Sequence, residues 1–224
     1  MAVRYNILAT VAVIVLSSSS PLLAGAADAS KPYHQNNATI PARKLQQKRA
    51  EVSCELKVRE NYQYYDIAGT SASQLRKQMK ENGTKWPDGR VYAAVTSWDI
   101  RYSYDISYEG GRCSVKSVKT DVEIVYQLPR SSSPELDPDL TQLWNDYLVR
   151  LKEHEFGHKD LAVKAASEIN QVLVSLQGFS SDRELDREAK RRTGEKLQRL
   201  KEMQVRYDDE TRHGETQGAV LAAR

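Results

Sequence analysis

The 224-residue sequence holds only two cysteines, Cys54 and Cys113, and they do not form a CxxC pair. That scarcity excludes a cysteine-rich scaffold or a cysteine-built zinc finger and leaves at most one intramolecular disulfide. Neither cysteine has a histidine near it in sequence, so a Cys54–Cys113 staple is expected in preference to a nucleophilic or metal-binding thiol. Long hydrophobic runs are also missing. Past residue 26, charge interrupts every apolar stretch within a few positions, which excludes a helix of the roughly 20 apolar residues a bilayer requires. Nor is there a strong charge of either sign. The net charge is +3, and the basic run Arg43 to Arg49 (RKLQQKR) reads as a solvated linker, with no nucleic acid among the expected partners.

Several features stand out against these absences. Arg4, an apolar run from Ile7 to Leu16, a serine stretch and Ala24-Gly25-Ala26 follow the three-part grammar of a secretory signal peptide over residues 1–26. The apolar run of about ten residues is half of what a membrane anchor needs, so no stable span is expected after cleavage, and the protein is expected in the periplasm or secreted. Residues 27–50 are polar, contain Pro32 and Pro41 and have no periodicity. They read as a flexible lead-in, with His34 outside any site. A single domain is expected over residues 51–218.

Val52 to Ile67 mixes β-branched and tyrosine residues and reads as one strand. A turn and cap at Gly69-Thr70-Ser71, then Leu75, Met79 and the stop at Gly83, indicate a short amphipathic helix. From Trp98 to Ile106 every even position is aromatic or β-branched and every odd one polar, the period of a strand with one face buried. Glu109-Gly110-Gly111 predicts a hairpin. The next strand carries Val118, Thr120, Val122, Ile124, Tyr126 and Leu128 on one face, with Cys113 and Val115 in the opposite phase, which predicts a bulge. Pro129 is expected to end the strands. The twelve tyrosines read as a half-buried sheet face in preference to a stacking surface for sugars or bases. Apolar residues from Leu140 to Leu176 then recur at helical steps as one long helix. Gly178 stops it, and a Ser181–Glu184 capping box opens a second helix with Leu185, Ala189, Leu197, Leu200 and Met203 on its stripe. The fold class expected is α+β, a small antiparallel sheet packed on the long helix and a returning C-terminal helix.

The long helix contains His154-Glu155-Phe156-Gly157-His158. Histidines four apart project from one helix face one turn apart and can grip the same ion. In HExxH hydrolases that ion is Zn2+, and the glutamate takes a proton from the water the ion activates. With four histidines and 16 glutamates in the chain, the pattern arises by chance about once in 200 such sequences. Both histidines share the apolar stripe of Leu151, Leu161, Ala162 and Ala165, which directs them toward a core or cleft. Gly157 costs about 1 kcal/mol against alanine in a helix, and close approach of another backbone would explain it.

A catalytic zinc needs one more protein ligand. Asp160 lies about 200° around the helix from His158, and Glu168 about 15 Å along it. Reflection about Gly178 sets positions 198 to 203 level with the two histidines and leaves Glu184 and Glu188 too far down. Just beyond that level, the segment Tyr207 to Gly214 contains His213, the expected third ligand. Tyr207, Asp208 or Asp209 would orient a ligand or steady the tetrahedral intermediate, and Glu155 and Tyr207 are taken as the catalytic pair.

These landmarks resemble the bacterial predicted secreted zinc-dependent proteases, a zincin-like HExxH domain long catalogued as a domain of unknown function. The matching residues are Tyr65 to Gly69, the Trp98-centred strand, Leu128-Pro129, Trp144 with Tyr147, His154 to Asp160, Tyr207-Asp208 and Thr211 to Gly214. The resemblance covers Tyr64 to Gly218 and implies a zincin-like peptidase acting on a peptide or protein substrate, which an edge strand could hold by strand addition. A zinc amidase acting on cell-wall bonds, and an exported binding or scaffold module with a structural or non-catalytic metal, stay open as alternatives.

Overall fold

The computed structural model describes residues 5–11, 52–86, 89–133 and 137–222. The lead-in expected over 27–50 and most of the signal peptide expected over 1–26 lie outside the described residues. Near the N-terminus, β1 (Tyr5–Val11) pairs antiparallel with β5 (Val95–Glu109), from Tyr5 opposite Tyr104 to Val11 opposite Trp98. The first strand of the domain, β2 (Ser53–Ile67), leads into α1 (Ala72–Asn82) and the short β3 (Thr84–Lys85) and β4 (Val91–Tyr92). After β5 come β6 (Arg112–Ser131), α2 (Pro138–Val174), α3 (Asp182–Thr211) and a 3-10 turn, Glu215–Gln217. No helix among the described residues is long and apolar enough to cross a membrane.

The sheet order is β1-β5-β6-β2. β5 and β6 form the expected hairpin through Gly110 and Gly111, both with positive φ (58° and 75°), a conformation glycine adopts without steric cost. The bulge is present: Asp105 pairs Ser117 while Ile106 pairs Val115, which skips Lys116 and brings Cys113 and Val115 onto the buried face. The sheet is mixed, not antiparallel. β6 returns into the gap between β5 and β2, and so lies parallel to β2, with Ser53 opposite Ser117 and Ile67 opposite Ser131. Strand periodicity reports which face is buried, not which neighbour a strand takes. β6 also runs through Pro129, opposite Tyr65. The ladder to β5 has already ended at Gln127–Val95, so the proline stands beyond the antiparallel pairing.

The parallel register also rules out the expected disulfide. Cys54 stands opposite Val118, five residues along β6 from Cys113, a displacement of about 16 Å at strand rise. Bridgeable cysteines have Cα atoms within about 7 Å. Both cysteines are free, Cys54 exposed and Cys113 buried. Thiol titration of the denatured protein, purified without reductant, is therefore expected to count two reactive thiols, with no change in unfolding temperature on adding reductant.

The core lies between one face of the sheet and the two long helices. Trp98, Ile100, Tyr102, Tyr104 and Ile106 from β5, and Val118, Val122, Ile124, Tyr126 and Leu128 from β6, are buried. Against them pack Leu151, Ala162, Ala166, Ile169 and Leu173 of α2 and Leu185, Ala189 and Leu200 of α3. Tyr102, Tyr104 and Tyr126 lie on the buried sheet face, while Tyr62, Tyr64 and Tyr108 are exposed. Tyr102 shares a 2.7 Å hydrogen bond with Thr193 and Tyr104 donates to Asp186 at 3.0 Å, both on α3. Asp137 caps α2 ahead of Pro138, Ser71 and Ser181 cap α1 and α3, and Gly83 closes α1. These are the start and stop signals that the sequence carries.

The α2–α3 connection positions the site. It does not turn tightly at Gly178. Phe179 makes a two-way bridge with Cys113, and Leu176 accepts from Val115, so the linker runs briefly as an extra partner of β6. This detour displaces α3 along α2, and the residues level with His158 and His154 become Gln204 and Asp208.

Candidate metal centre

The HEFGH histidines lie on the buried face of α2, His154 with 3 % and His158 with 7 % of their surface exposed. On α3 the buried positions descend as Leu185, Ala189, Thr193, Leu200, Gln204, Asp208 and Thr211. The stripe, apolar as far as Leu200 except for Thr193, turns polar where it passes under HEFGH. Burying such groups is costly unless each finds a partner, and each of them does.

Asp208 Oδ1 lies 3.0 Å from His158 Nε2 and 3.2 Å from His154 Nε2, and the two Nε2 atoms are 3.3 Å apart. Donors held about 2.0–2.1 Å from one tetrahedral ion stand roughly 3.3 Å from each other. The three atoms thus outline one face of a coordination tetrahedron, and the side chains of His154, His158 and Asp208 could hold a metal ion. His213 is brought to this cluster through Asp208: its Nδ1 is 3.5 Å from the same Oδ1, and its side chain is 38 % exposed. Arg212, His213 and Gly214 all adopt positive φ (49°, 53° and 86°). For the two non-glycine residues this costs on the order of 1–3 kcal/mol each. The turn so made aims His213 at the cluster and directs the chain back toward His154.

Outer partners fix the imidazoles. His158 Nδ1 meets Gln204 Oε1 at 2.5 Å, and His154 Nδ1 meets Gln217 Oε1 at 2.9 Å. Tyr207 stands behind His154. Their rings stack at 5.1 Å, and the Tyr207 hydroxyl donates to the His154 carbonyl at 3.2 Å. Tyr207 is not among the residues lining the adjoining cavity. Its packing explains Gly157, because a Cβ there would sit 2.1 Å from the Tyr207 hydroxyl oxygen. The close approach is thus made by a side chain, not by another backbone. Gly157→Ala is expected to destabilise the protein by about 1–3 kcal/mol through overpacking. Gly194→Ala on α3, with no atom within 4 Å of the new Cβ, is expected to stabilise it by about 0.5–1 kcal/mol through helix propensity. Denaturant unfolding of the two variants checks the opposite signs.

Glu155 is 4 % exposed and lines the cavity. The Thr96 hydroxyl of β5 donates to its Oε2 at 2.6 Å. Burial raises the Glu155 pKa, against the opposing charges of His158 and His154 and the Thr96 hydrogen bond. The cavity has a volume of about 260 Å³, toward the small end of ligand clefts. It is lined by Trp86, Tyr92 and Ala94, by Leu151, His154 and His158 of α2, and by Asp208, Arg212, His213 and Glu215, with the Tyr92 and His213 rings 5.3 Å apart. Burial works to raise the Asp208 pKa, but hydrogen bonds from His154, His158 and His213 outweigh it and hold the carboxyl well below the usual carboxylate range. Burial alone would lower the His158 pKa. The hydrogen bond to Asp208, with the charges of Asp208 and Glu155, reverses that, and the net shift is upward. His213 is raised by its hydrogen bond to Asp208.

The sequence pattern points to His154, Glu155 and His158, takes Tyr207 as Glu155's catalytic partner and His213 as the third ligand, and offers Asp208 only as a supporting group. The structure instead sets Asp208 against both histidines and Tyr207 behind His154, outside the cavity lining. Gln204, Gln217 and Thr96 went unnoticed. The available signal was on α3, where Gln204, Asp208 and Thr211 continue a buried stripe with polar residues at i, i+4 and i+7. Thr96 and Gln217 carry no comparable signal.

Comparison with curated proteins and with solved structures returns no match. Residues 62–214 match the profile of a family described as a bacterial protein of unknown function (DUF922). The matched segment runs from the middle of β2 to the turn after α3 and includes HEFGH and Asp208. The chain belongs to this bacterial family of unknown function, DUF922.

Proposed function

We propose that the protein is an exported zinc-dependent metallohydrolase, a peptidase that cleaves amide bonds of peptide or protein substrates. The observation that carries this reading is the Nε2–Nε2–Oδ1 triangle of His154, His158 and Asp208, with edges of 3.0–3.3 Å, beside the buried carboxylate of Glu155. Two nitrogens and one carboxylate oxygen are a donor set suited to zinc, with a fourth position left for water or substrate. Zinc bound there supplies a Lewis acid that polarises the scissile carbonyl and makes water acidic near neutral pH.

This chain's own residues do the remaining work. Glu155, held by Thr96 and raised in pKa by burial, takes the proton of the attacking water and returns it to the leaving amine. A carboxylate tuned toward neutral pH suits both transfers. Tyr207 holds His154 from behind by stacking and by its hydrogen bond to the carbonyl. His213, Arg212 and Tyr92 face the cavity where a substrate would lie. The N-terminal grammar of the leader supports export, and removal of residues 1–26 would take β1 away and leave β5 as an edge strand beside the cavity.

The test is zinc content together with chelation. The purified protein should carry about one zinc per chain and cleave members of a mixed fluorogenic peptide library. Cleavage should stop with a chelator and return with zinc. A protein without zinc, or cleavage indifferent to the chelator, contradicts the reading.

A further inference from the structure

We propose that Gln204 and Gln217 are positioning residues that fix both HEFGH histidines in the tautomer protonated on Nδ1, so that both Nε2 lone pairs are turned toward a divalent cation. The proposal rests on the metal reading above. A free imidazole can carry its proton on either nitrogen, and only the unprotonated one can ligate. Which nitrogen that is depends on what the other one meets.

For His158 the arrangement leaves no freedom. Gln204 Nε2 donates to the His158 main-chain carbonyl at 3.0 Å, which orients the amide and turns Oε1 onto His158 Nδ1 at 2.5 Å. An amide oxygen only accepts, so Nδ1 must carry the proton. Gln204 is fully buried, at 0 % exposure.

For His154 the same logic comes from a different part of the chain. Gln217 Nε2 donates to the Tyr207 hydroxyl at 3.0 Å, which leaves Oε1 to accept from His154 Nδ1 at 2.9 Å. Thr211 Oγ1 lies 3.4 Å from the same Nδ1, but its proton is directed at the Tyr207 carbonyl at 2.7 Å, so it too can only accept. Every neighbour of His154 Nδ1 is an acceptor.

Gln217 lies past residue 214, where the family match ends. The tail brings it back through the left-handed turn at Arg212 to Gly214, with Leu221 buried and its carbonyl accepting from Arg76 at 2.5 Å. Both outer acceptors are neutral amides. Asp208 is then the one carboxylate in direct contact with the two imidazoles among the described residues, which leaves a net charge of +1 on the ligand set with a divalent ion. Outer acceptors of this kind typically change metal affinity by about 10–100-fold when removed.

The experiment uses the full chain loaded with zinc and labelled with nitrogen-15 in histidine. Zinc affinity is measured alongside long-range proton–nitrogen correlation spectra. The wild type should show two slowly exchanging Nδ1 protons, with both Nε2 atoms on the metal. Gln204→Leu should lose protection of the His158 proton alone, and Gln217→Leu that of the His154 proton alone, each with zinc Kd weakened about 10–100-fold. Gln204→Glu and Gln217→Glu, which keep an acceptor, should retain the protected proton and a Kd within a few-fold of wild type. Gln217 is only partly buried, so its variants report even if a Gln204 variant fails to fold. Ligation through Nδ1, or leucine variants with unchanged protons and Kd, overturns the proposal while leaving the metal reading intact. A wild-type protein that binds no zinc overturns both.

Discussion

Glu155→Gln is expected to leave zinc bound at unchanged stoichiometry and to lower peptide hydrolysis by about 10²–10⁴-fold, the usual contribution of a positioned general base. Glutamine preserves the length of the side chain and still accepts from the Thr96 hydroxyl that holds Oε2 at 2.6 Å, but it cannot take a proton. Because Glu155 is outside the triangle of metal-binding atoms, affinity and turnover should separate. Burial raises the Glu155 pKa, so the ascending limb of the wild-type pH–rate profile should lie above the ordinary glutamate pKa of about 4.3. Steady-state kinetics and metal analysis of the same preparation check all three points. Equal turnover by the two proteins would remove Glu155 from the mechanism.

Asp208→Ala is expected to weaken zinc binding by more than 100-fold, beyond the effect of losing an outer partner, and to change how stability depends on pH. In the metal-free protein Asp208 is the common acceptor for His154, His158 and His213. Its lowered pKa contributes stability that is present above about pH 4, its unfolded value, and is lost as pH falls through the folded one. The raised pKa values of His158 and His213 act in the opposite sense. Their contribution is complete below about pH 6.5 and disappears as pH rises through the folded values. The metal-free wild type should therefore lose stability on going from pH 6 to pH 8. The increment added by zinc should grow over the same range, since zinc requires neutral imidazoles. Asp208→Ala should flatten the metal-free profile and abolish the zinc increment. Thermal unfolding between pH 5.5 and 8.5, with and without zinc, reads both effects. His213→Ala should leave most of the zinc increment in place, because His213 reaches the cluster only through Asp208 Oδ1.

Features set by local physics were legible in the sequence. The caps at Ser71 and Ser181, the hairpin glycines 110 and 111, the skipped Lys116 and the alternation from Trp98 to Ile106 each reflect a rule that operates over a few residues. HEFGH belongs with them, because a four-residue step in a helix is itself local. Features set by neighbours were not legible. Val52 to Ile67 looks alike beside a parallel or an antiparallel partner, and so the mixed order and the separation of Cys54 from Cys113 appear only once β6 is seen to lie between β5 and β2. The third member of the candidate metal site depended on the register of two helices. A tight turn at Gly178 would have aligned positions 198 to 203 with the histidines, whereas the bridge from Phe179 to Cys113 moves α3 onward and brings in Asp208. The polar run Gln204, Asp208, Thr211, following a stripe that is apolar but for Thr193, held that information, because a buried helix face places such residues together only where they have partners.

The most direct test is anomalous scattering at the zinc edge from crystals of the zinc-loaded protein. A single peak is expected within about 2.0–2.2 Å of His154 Nε2, His158 Nε2 and a carboxylate oxygen of Asp208, with the His213 ring outside bonding distance. A peak bonded to His213 with Asp208 excluded, or no peak at HEFGH, would contradict the account.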